Sequence, residues 1–371
     1  MYQIENISTI VDLTSKQHFL DYKIRTIVIA PDQNYLKYAS VLLLSLLEHK
    51  CDNEILDILI FCEAVSEKCK DKILKMQTDE MKIRFVLMNK ILSDLFPNVQ
   101  LTSRDYWSTS TFYRLLIPII MKNYDKVMYI DSDVVVASSY SSIFDCDFGG
   151  KSLIAVQDTA APNFTKQRAN RFNEAFKIQS FDFESYFNAG ITYFNIKNIN
   201  TDNYVKVLST LLGSVFDFQD QDILNYMFMD DVKLVHQRYN FQVGMLNWHA
   251  WLDEIRLYKS YAAEWNEAFQ SPVFIHYIGK EKPWNSDCWY SEYFWRYVHY
   301  SPFAYQILQN LNSPNDGYIS VDDVYLILSR RKVIFKYHLY RFLSIFSSKY
   351  KKKMSLYDNR LRRLKEVHAY K

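Results

Sequence analysis

Lys126-Val127-Met128-Tyr129-Ile130-Asp131-Ser132-Asp133-Val134 is the stretch from which the rest of the chain can be read. Lys126 to Ile130 are apolar, branched or aromatic after the lysine and contain no Gly or Pro, which predicts a buried strand. Two carboxylates follow at its mouth. On an extended strand, side chains two apart share a face, so Asp131 and Asp133 are expected to converge. Acids held that close repel unless a cation or basic group lies between them, which makes the pair a candidate site for a hard divalent ion. The spacing alone is weak evidence, because Asp145/Asp147 and Asp220/Asp222 repeat it. Of the three, only Asp131/Asp133 follows a strongly apolar strand pattern. Asp145/Asp147 reads as a turn, and Asp220/Asp222 as the acidic first turn of a helix.

Upstream, strand and helix patterns alternate. Arg25 to Ala30 predicts a strand closed by Pro31-Asp32, Tyr35 to Glu48 a buried helix, Ile55 to Cys62 a second strand, Ser66 to Met76 an amphipathic helix capped by Ser66, and Lys82 to Leu87 a third strand. This β-α-β-α-β order predicts a parallel sheet with helices packed on it. Ligands of such sheets collect at the carboxyl ends of strands, which is where Ala30, Asp32 and Asn34 lie. Ser108 to Met121 predicts a helix with Phe112, Leu115, Leu116, Ile119 and Ile120 buried, kinked or ended by Pro118, with Arg114 just before its apolar end.

Downstream, Leu153 to Gln157 predicts a strand ending at Asp158, and the polar stretch Ala160 to Glu184 a lid or acceptor-side loop. Tyr186-Phe187-Asn188-Ala189-Gly190 opens a strand through Asn195, Asp202 to Leu212 predicts a helix, and Gln219 starts another. Val273 to Tyr277 predicts a last strand bearing His276 and running into Gly279 and Lys282. Two carboxylates and one imidazole make a mixed oxygen and nitrogen donor set, which suits Mn2+ or Mg2+.

Composition excludes several classes. With 371 residues and 49% hydrophobic content, the chain has material for one large domain and an appendage, or for two domains. Seven glycines, with neither G-x-G-x-x-G nor a Walker motif, argue against a glycine-rich phosphate loop. Five scattered cysteines without C-x-x-C argue against a zinc cluster or disulfide framework and point to a reducing cytoplasm. Residues 1–23 contain no signal-peptide core, and no run approaches the roughly 18 apolar residues of a membrane span.

Charge is distributed unevenly. Residues 329–371 carry 14 Lys+Arg against 2 Asp+Glu, while the remainder carries 30 against 40, an acidic body with a basic tail. In residues 330–346 the cations are interleaved with large apolar residues, and two basic runs follow. The pattern predicts peripheral attachment through residues 330–371 to anionic lipid on the inner face of the cell membrane, worth about 1 kcal/mol per basic residue near the surface. The alternative is a solvated face of helices packed on the acidic body. No nucleic-acid motif is present, so no nucleic acid is expected as a partner.

Six motifs in order, Ala30-Pro31-Asp32-Gln33-Asn34-Tyr35, Tyr113-Arg114, Tyr129-Ile130-Asp131-Ser132-Asp133, Tyr186-Phe187-Asn188-Ala189-Gly190, Gln219-Asp220-Gln221-Asp222-Ile223-Leu224-Asn225 and His276-Tyr277-Ile278-Gly279-Lys280-Glu281-Lys282-Pro283-Trp284, resemble glycosyltransferase family 8. That family includes bacterial lipopolysaccharide galactosyl- and glucosyltransferases and glycogenin. The resemblance spans about residues 24–290. It implies a GT-A fold, a Rossmann-like mixed α/β sheet flanked by helices, over residues 24–300, with an N-terminal extension (1–23) and a helical basic region (301–371) outside it. The activity implied is retaining transfer of a hexose from UDP-glucose or UDP-galactose to a glycan, glycolipid or glycoprotein acceptor in cell-surface glycan biosynthesis, with Mn2+ or Mg2+ as cofactor.

Carried over by motif, Asp131, Asp133 and His276 are the implied metal ligands. Ala30, Asp32 and Asn34 would hold uracil and ribose, and Gly279 and Lys282 the diphosphate. Arg114, Asp158, Asn188, Asp220 and Gln221 would address the donor sugar, with Gln221, Asp220 and Asn188 nearest the chemistry; Ser132 and Ala189 complete the donor-binding motifs. Pro31 departs from the small residue common at that place and should stiffen the turn. Aromatic faces stack on sugars, so the region Met245 to Ala268, with Trp248, Trp251 and Trp265, is expected on the acceptor side. The competing readings are a catalytically inactive sugar-nucleotide-binding or scaffold protein of the same fold, and phosphoryl transfer on Asp131. The second lacks the Thr of a D-x-D-x-T motif.

Overall fold

The structure, a computed structural model, describes residues 22–97, 109–159, 161, 165–214, 216–243, 259–286 and 288–311. These fall into two compact units, one drawn from residues 1–242 and 249–276, the other from 243–248 and 277–371. Most of the N-terminal extension, the whole of residues 312–371, Ser108, Trp248 and Trp251 lie outside the described residues.

In the first unit β1 (Lys23–Ile29), α1 (Leu36–His49), β2 (Glu54–Cys62), α2 (Glu67–Leu74) and β3 (Met81–Leu87) form the expected alternation. β2 is buried at every position, as a strand covered on both faces must be. Its two acids are therefore ion-paired: Glu54 with Arg25 at 2.7 Å and Asp57 with Arg84 at 2.6 Å. The Ser66 side chain caps α2 by accepting from the Cys69 N–H, as its position in the sequence predicts.

The helix expected from 108 to 121 is instead a 3-10 turn, Thr109–Leu116, followed by a short α-helix, α4 (Ile117–Ile120), after α3 (Met88–Leu95). Pro118 lacks an N–H and sits where a helix starts, so the α geometry begins there rather than running through it. All five residues assigned to its buried face are buried.

β4 (Lys126–Ile130) has the predicted bounds, and β5 (Val134–Val136), α5 (Ser141–Phe144), β6 (Leu153–Gln157), α6 (Lys166–Phe176), β7 (Phe187–Asn195), α7 (Thr201–Leu211), α8 (Gln219–Met227) and β8 (Val232–Leu234) follow. The main sheet has the order β3-β2-β1-β4-β7-β6-β8. β1 pairs parallel with β2 and β4, whereas β7 runs antiparallel to β4 and β6, so the sheet is mixed. A second sheet orders β5-β10-β9, with β9 at Phe241–Val243 and β10 at Phe274–Tyr277.

Two acceptor-side expectations are corrected. Residues 160–184 are not simply a polar loop, because α6 occupies 166–176 within them, capped by Thr165 and ended by Lys177 at a left-handed φ of 56°. Its Phe172 and Phe176, one helical turn apart, sit buried against Phe181 and Phe216. Trp265, on α9 (Lys259–Gln270), is also buried, packed on Phe241 and Phe269, and offers no open face to a sugar. In the second unit, α10 (Ser291–Val298) packs Phe294 on Trp284, and α11 (Ala304–Leu311) follows it. Among the described residues no helix is long and apolar enough to cross a membrane.

Candidate active site

The chain leaves β4 at Ile130 and enters β5 at Val134, passing from the main sheet to the second one. Asp131 and Asp133 lie in the turn between them, not on the strand. They converge because the turn wraps around one point, and strand pleating plays no part. Antiparallel pairing of β10 with β5 sets His276 opposite Val134, which brings a residue 143 positions away in sequence to the acid pair. The His276 Nε2 lies 3.4 Å from Asp133 Oδ1 and 3.7 Å from Asp131 Oδ2, and the three ligand atoms lie within 4.8 Å of one another.

The chemistry of this donor set fits a divalent cation, and so does the space around it. Gly190 lines the same cradle: a Cβ there would stand 2.2 Å from His276 Cε1 and 2.8 Å from Asp131 Oδ2. The approach comes from an irregularity in β7. Its register with β6 jumps from Ala155↔Thr192 to Val156↔Asn188, so Ala189 to Ile191 form a bulge without register partners on β6. The Asp131 N–H donates to the Gly190 carbonyl at 2.7 Å, tying the acid turn to the bulge.

Arg114 is the hub of the acids. Its Nη2 donates to Asp131 Oδ1 at 2.8 Å, its Nη1 to the Ala189 carbonyl at 2.7 Å, and its Nε lies 3.0 Å from Asp220 Oδ2. The guanidinium is buried and rests 4.5 Å over the Tyr129 ring, whose hydroxyl donates to Asp131 Oδ1 at 2.7 Å. The flanking carboxylates hold the Arg114 pKa above its ordinary value despite burial. Burial pushes the Asp220 carboxyl up to about 6, opposed by the Arg114 charge. With these donors directed at the protein, Arg114 holds the acids in place.

Of the other residues singled out in the sequence, Asp158, Asn188, Ala189 and Gln221 form a connected network. Gln221 Nε2 donates to Asp158 Oδ2 at 3.1 Å, and its Oε1 accepts from the Ala189 N–H at 3.0 Å. Asn188 Nδ2 donates to the same Asp158 oxygen at 3.0 Å. Asp222 connects to this group through the Tyr186 hydroxyl, which accepts from Gln221 Nε2 at 3.3 Å and donates to Asp222, and it also accepts from Arg168, anchoring α8. Beyond the end of β1, Asp32 Oδ1 accepts from the Asn34 and Tyr35 N–H groups, so one oxygen closes the turn that leads into α1, while Asn34 is exposed. In the second unit, Gly279 takes a left-handed φ of 75°, and the buried Lys282 ammonium donates to the Tyr277 carbonyl.

Sequence reasoning missed Asn240, Tyr129 and Gly190 as site residues. Asn240 is fully buried and bonds His276 Nδ1 at 3.0 Å and Asn188 Oδ1 at 2.9 Å. An isolated Asn at the end of a short 3-10 turn (Gln237–Asn240) carries no local signal. Tyr129 and Gly190 stood inside recognised motifs, but their contacts depend on neighbouring strands.

The model of the family described as "Glycosyl transferase family 8" matches residues 26–288. The chain belongs to that family. It is 27% identical over 287 residues to a lipopolysaccharide 1,2-glucosyltransferase of Escherichia coli, covering 73% of this chain and 77% of that one. It is also 27% identical to a lipopolysaccharide 1,3-galactosyltransferase of Salmonella typhimurium over 218 residues, 57% of this chain and 60% of that one. Among solved structures, the galactosyltransferase LgtC in complex with donor and acceptor sugar analogs superposes with a TM-score of 0.57 at 26% identity, covering 72% of this chain and 93% of that chain. The apo bifunctional glycosyltransferase WbbM superposes with a TM-score of 0.69 at 26% identity, over 78% of this chain and about half (52%) of that chain. The family 8 chain is thus a glycosyltransferase of GT-A fold, and the mixed sheet expected from its sequence is the sheet found.

Proposed function

We propose that this family 8 protein moves a hexose, glucose or galactose, from a UDP-sugar to a glycan, glycolipid or glycoprotein acceptor in cell-surface glycan biosynthesis, with retention at the anomeric carbon and a divalent cation, Mn2+ or Mg2+. The observation that carries this reading is the Asp131, Asp133, His276 cluster around the Gly190 cradle. Two relatives named for transfer of glucose and of galactose support a hexose donor.

Release of a nucleoside diphosphate needs no proton when its charge is neutralised. Bound to Asp131, Asp133 and His276, a divalent cation supplies that neutralisation as a Lewis acid. The residues of the chain do the rest. Arg114 and the Tyr129 hydroxyl aim Asp131 at the cation position. Asp158, Asn188 and Asp220 take the hydroxyls of the hexose, and Gln221, held between Asp158 and the Ala189 N–H, presents its amide to the anomeric centre. An amide is a poor nucleophile, so retention is best served by acceptor attack from the face the diphosphate leaves, with the departing phosphate taking the proton. Ala30, Asp32 and Asn34 hold the uridine.

With UDP-glucose or UDP-galactose and Mn2+, the protein should release UDP slowly even without acceptor, and EDTA should stop the release. A product whose anomeric configuration is opposite to that of the donor, or UDP release untouched by EDTA, would refute retention or metal dependence respectively. The basic pattern of residues 330–371 supports docking on anionic membrane. The full chain should sediment with anionic liposomes and a chain lacking 330–371 should not. Equal sedimentation of the two would exclude the tail as anchor.

A further inference from the structure

The hydrogen bonds behind His276 have only one consistent direction, and it is set far from the imidazole. Asp158 as a carboxylate can only accept, so the Asn188 group that meets Asp158 Oδ2 at 3.0 Å must be its NH2. The Gly190 N–H, which can only donate, meets the other end of the same amide at 3.0 Å, and so independently makes that end the oxygen. Asn188 Oδ1 then requires a donor from Asn240 at 2.9 Å, which makes that atom the Asn240 NH2. The remaining Asn240 atom is its oxygen, 3.0 Å from His276 Nδ1. An amide oxygen facing a ring nitrogen requires the ring to donate, so Nδ1 carries the proton. In the neutral ring Nε2 is then bare, and Nε2 is the atom aimed at Asp131 and Asp133.

We propose that Asp158, Asn188 and Asn240 form a polarity relay that locks His276 as its Nδ1–H tautomer, with Asn240 the positioning residue that presents the Nε2 lone pair to the cation site. The relay is built into the core: Asn240 is 0% exposed, Asn188 7% and Asp158 6%. Burial keeps water from supplying a substitute partner, so the tautomer follows the relay and not the solvent. Asp158 and Asn188 thereby serve two sites, the sugar and the cation. The second ring nitrogen of a metal-bound histidine is held by such a partner in general, and its loss costs about 10–100-fold in metal affinity. The cation-ligand role of His276 rests on the function proposed above, whereas the tautomer assignment does not.

Long-range 1H–15N spectra of 15N-labelled, metal-free protein in mildly alkaline buffer read the tautomer directly. Wild-type His276 should be wholly Nδ1–H. Asn240→Leu removes the acceptor and should give mixed tautomers and a Mn2+ dissociation constant raised about 10–100-fold by calorimetry. Asn240→Asp keeps an acceptor for Nδ1–H while cutting the link to Asn188, and should retain both the tautomer and near wild-type Mn2+ affinity. This second variant also covers the case in which the leucine substitution does not fold. An Nε2–H signal in the wild type would overturn the relay. So would wild-type Mn2+ affinity in Asn240→Leu, or an Asn240→Asp protein as impaired as Asn240→Leu. A wild-type protein with the Nδ1 tautomer that binds no Mn2+ would sink the proposed metal dependence and leave the tautomer assignment standing.

Discussion

Gly190→Ala is expected to abolish Mn2+ binding and to lower transferase activity by about 100-fold or more. One methyl group suffices because the backbone comes so close to the site. The new Cβ would lie 2.2 Å from His276 Cε1, a separation real Cβ contacts essentially never show, and 2.8 Å from Asp131 Oδ2. Neither neighbour can easily retreat. The His276 side chain is buried and tethered to Asn240, and Asp131 is held by Arg114, Tyr129 and its own N–H to Gly190. Tilting the imidazole away would break the Asn240 bond, and moving the β7 bulge would break the Asp131 one. The overpacking should also cost about 1–3 kcal/mol of stability. Calorimetric Mn2+ titration beside a denaturation curve separates the two effects. A stable Gly190→Ala protein with unaltered Mn2+ affinity would show that the cradle is not the cation site.

Arg114→Met should destabilise the fold by about 3–5 kcal/mol at neutral pH, the range for removing one partner of a buried charge cluster. The substitution conserves volume roughly but leaves Asp220 and Asp131 without the cation lying between them. The loss should depend on pH in a defined direction. Burial already raises Asp220 to about 6 with Arg114 present, and without it the folded-state value goes higher still. A carboxyl raised in the folded state penalises folding fully above its folded pKa and not at all below its unfolded value near 4. The deficit of Arg114→Met relative to wild type should therefore shrink as pH falls from 7 toward about 4. Urea denaturation of both proteins across that interval tests it. A deficit that is constant or grows on acidification would mean that Arg114 acts by packing on Tyr129 and not by its charge.

The two predictions concern residues of different legibility. Arg114 stands beside an apolar run in the sequence, and the family resemblance implies contact with the sugar. In the fold its donors point at Asp131, Ala189 and Asp220. Gly190 sat inside a recognised motif without a reason of its own, because the clash that requires glycine involves His276, a residue 86 positions further along. Asn240 gave no sign at all: its burial and both of its partners come from long-range contacts.

Local pattern sufficed wherever one element satisfied its own needs. Strands buried on both faces must be continuous runs of apolar residues, so β4 and β6 appear with their exact bounds. The Ser66 cap and the Pro118 break act within one turn of the backbone, although the second produced a 3-10 segment where a helix with a kink was expected. Motif order along the chain was enough for the family and the GT-A fold. Pattern failed where side chains are satisfied by other elements. Residues 160–184 look polar because their aromatic residues are spaced apart, yet Phe172, Phe176 and Phe181 meet in one cluster. Trp265 looks like a sugar platform until Phe241 and Phe269 cover it.

For the site itself, the amino-acid order by itself determined the donor types: two carboxylates and an imidazole at the ends of apolar strands. Only the tertiary structure decided how they meet. The acids converge through a turn between two sheets, and antiparallel pairing of β10 with β5 delivers the histidine. Which ring nitrogen carries the proton is set by a chain of amides ending on Asp158. Distance along the chain carries no information about such contacts, because hydrogen-bond direction is enforced by whichever groups the packed core places side by side.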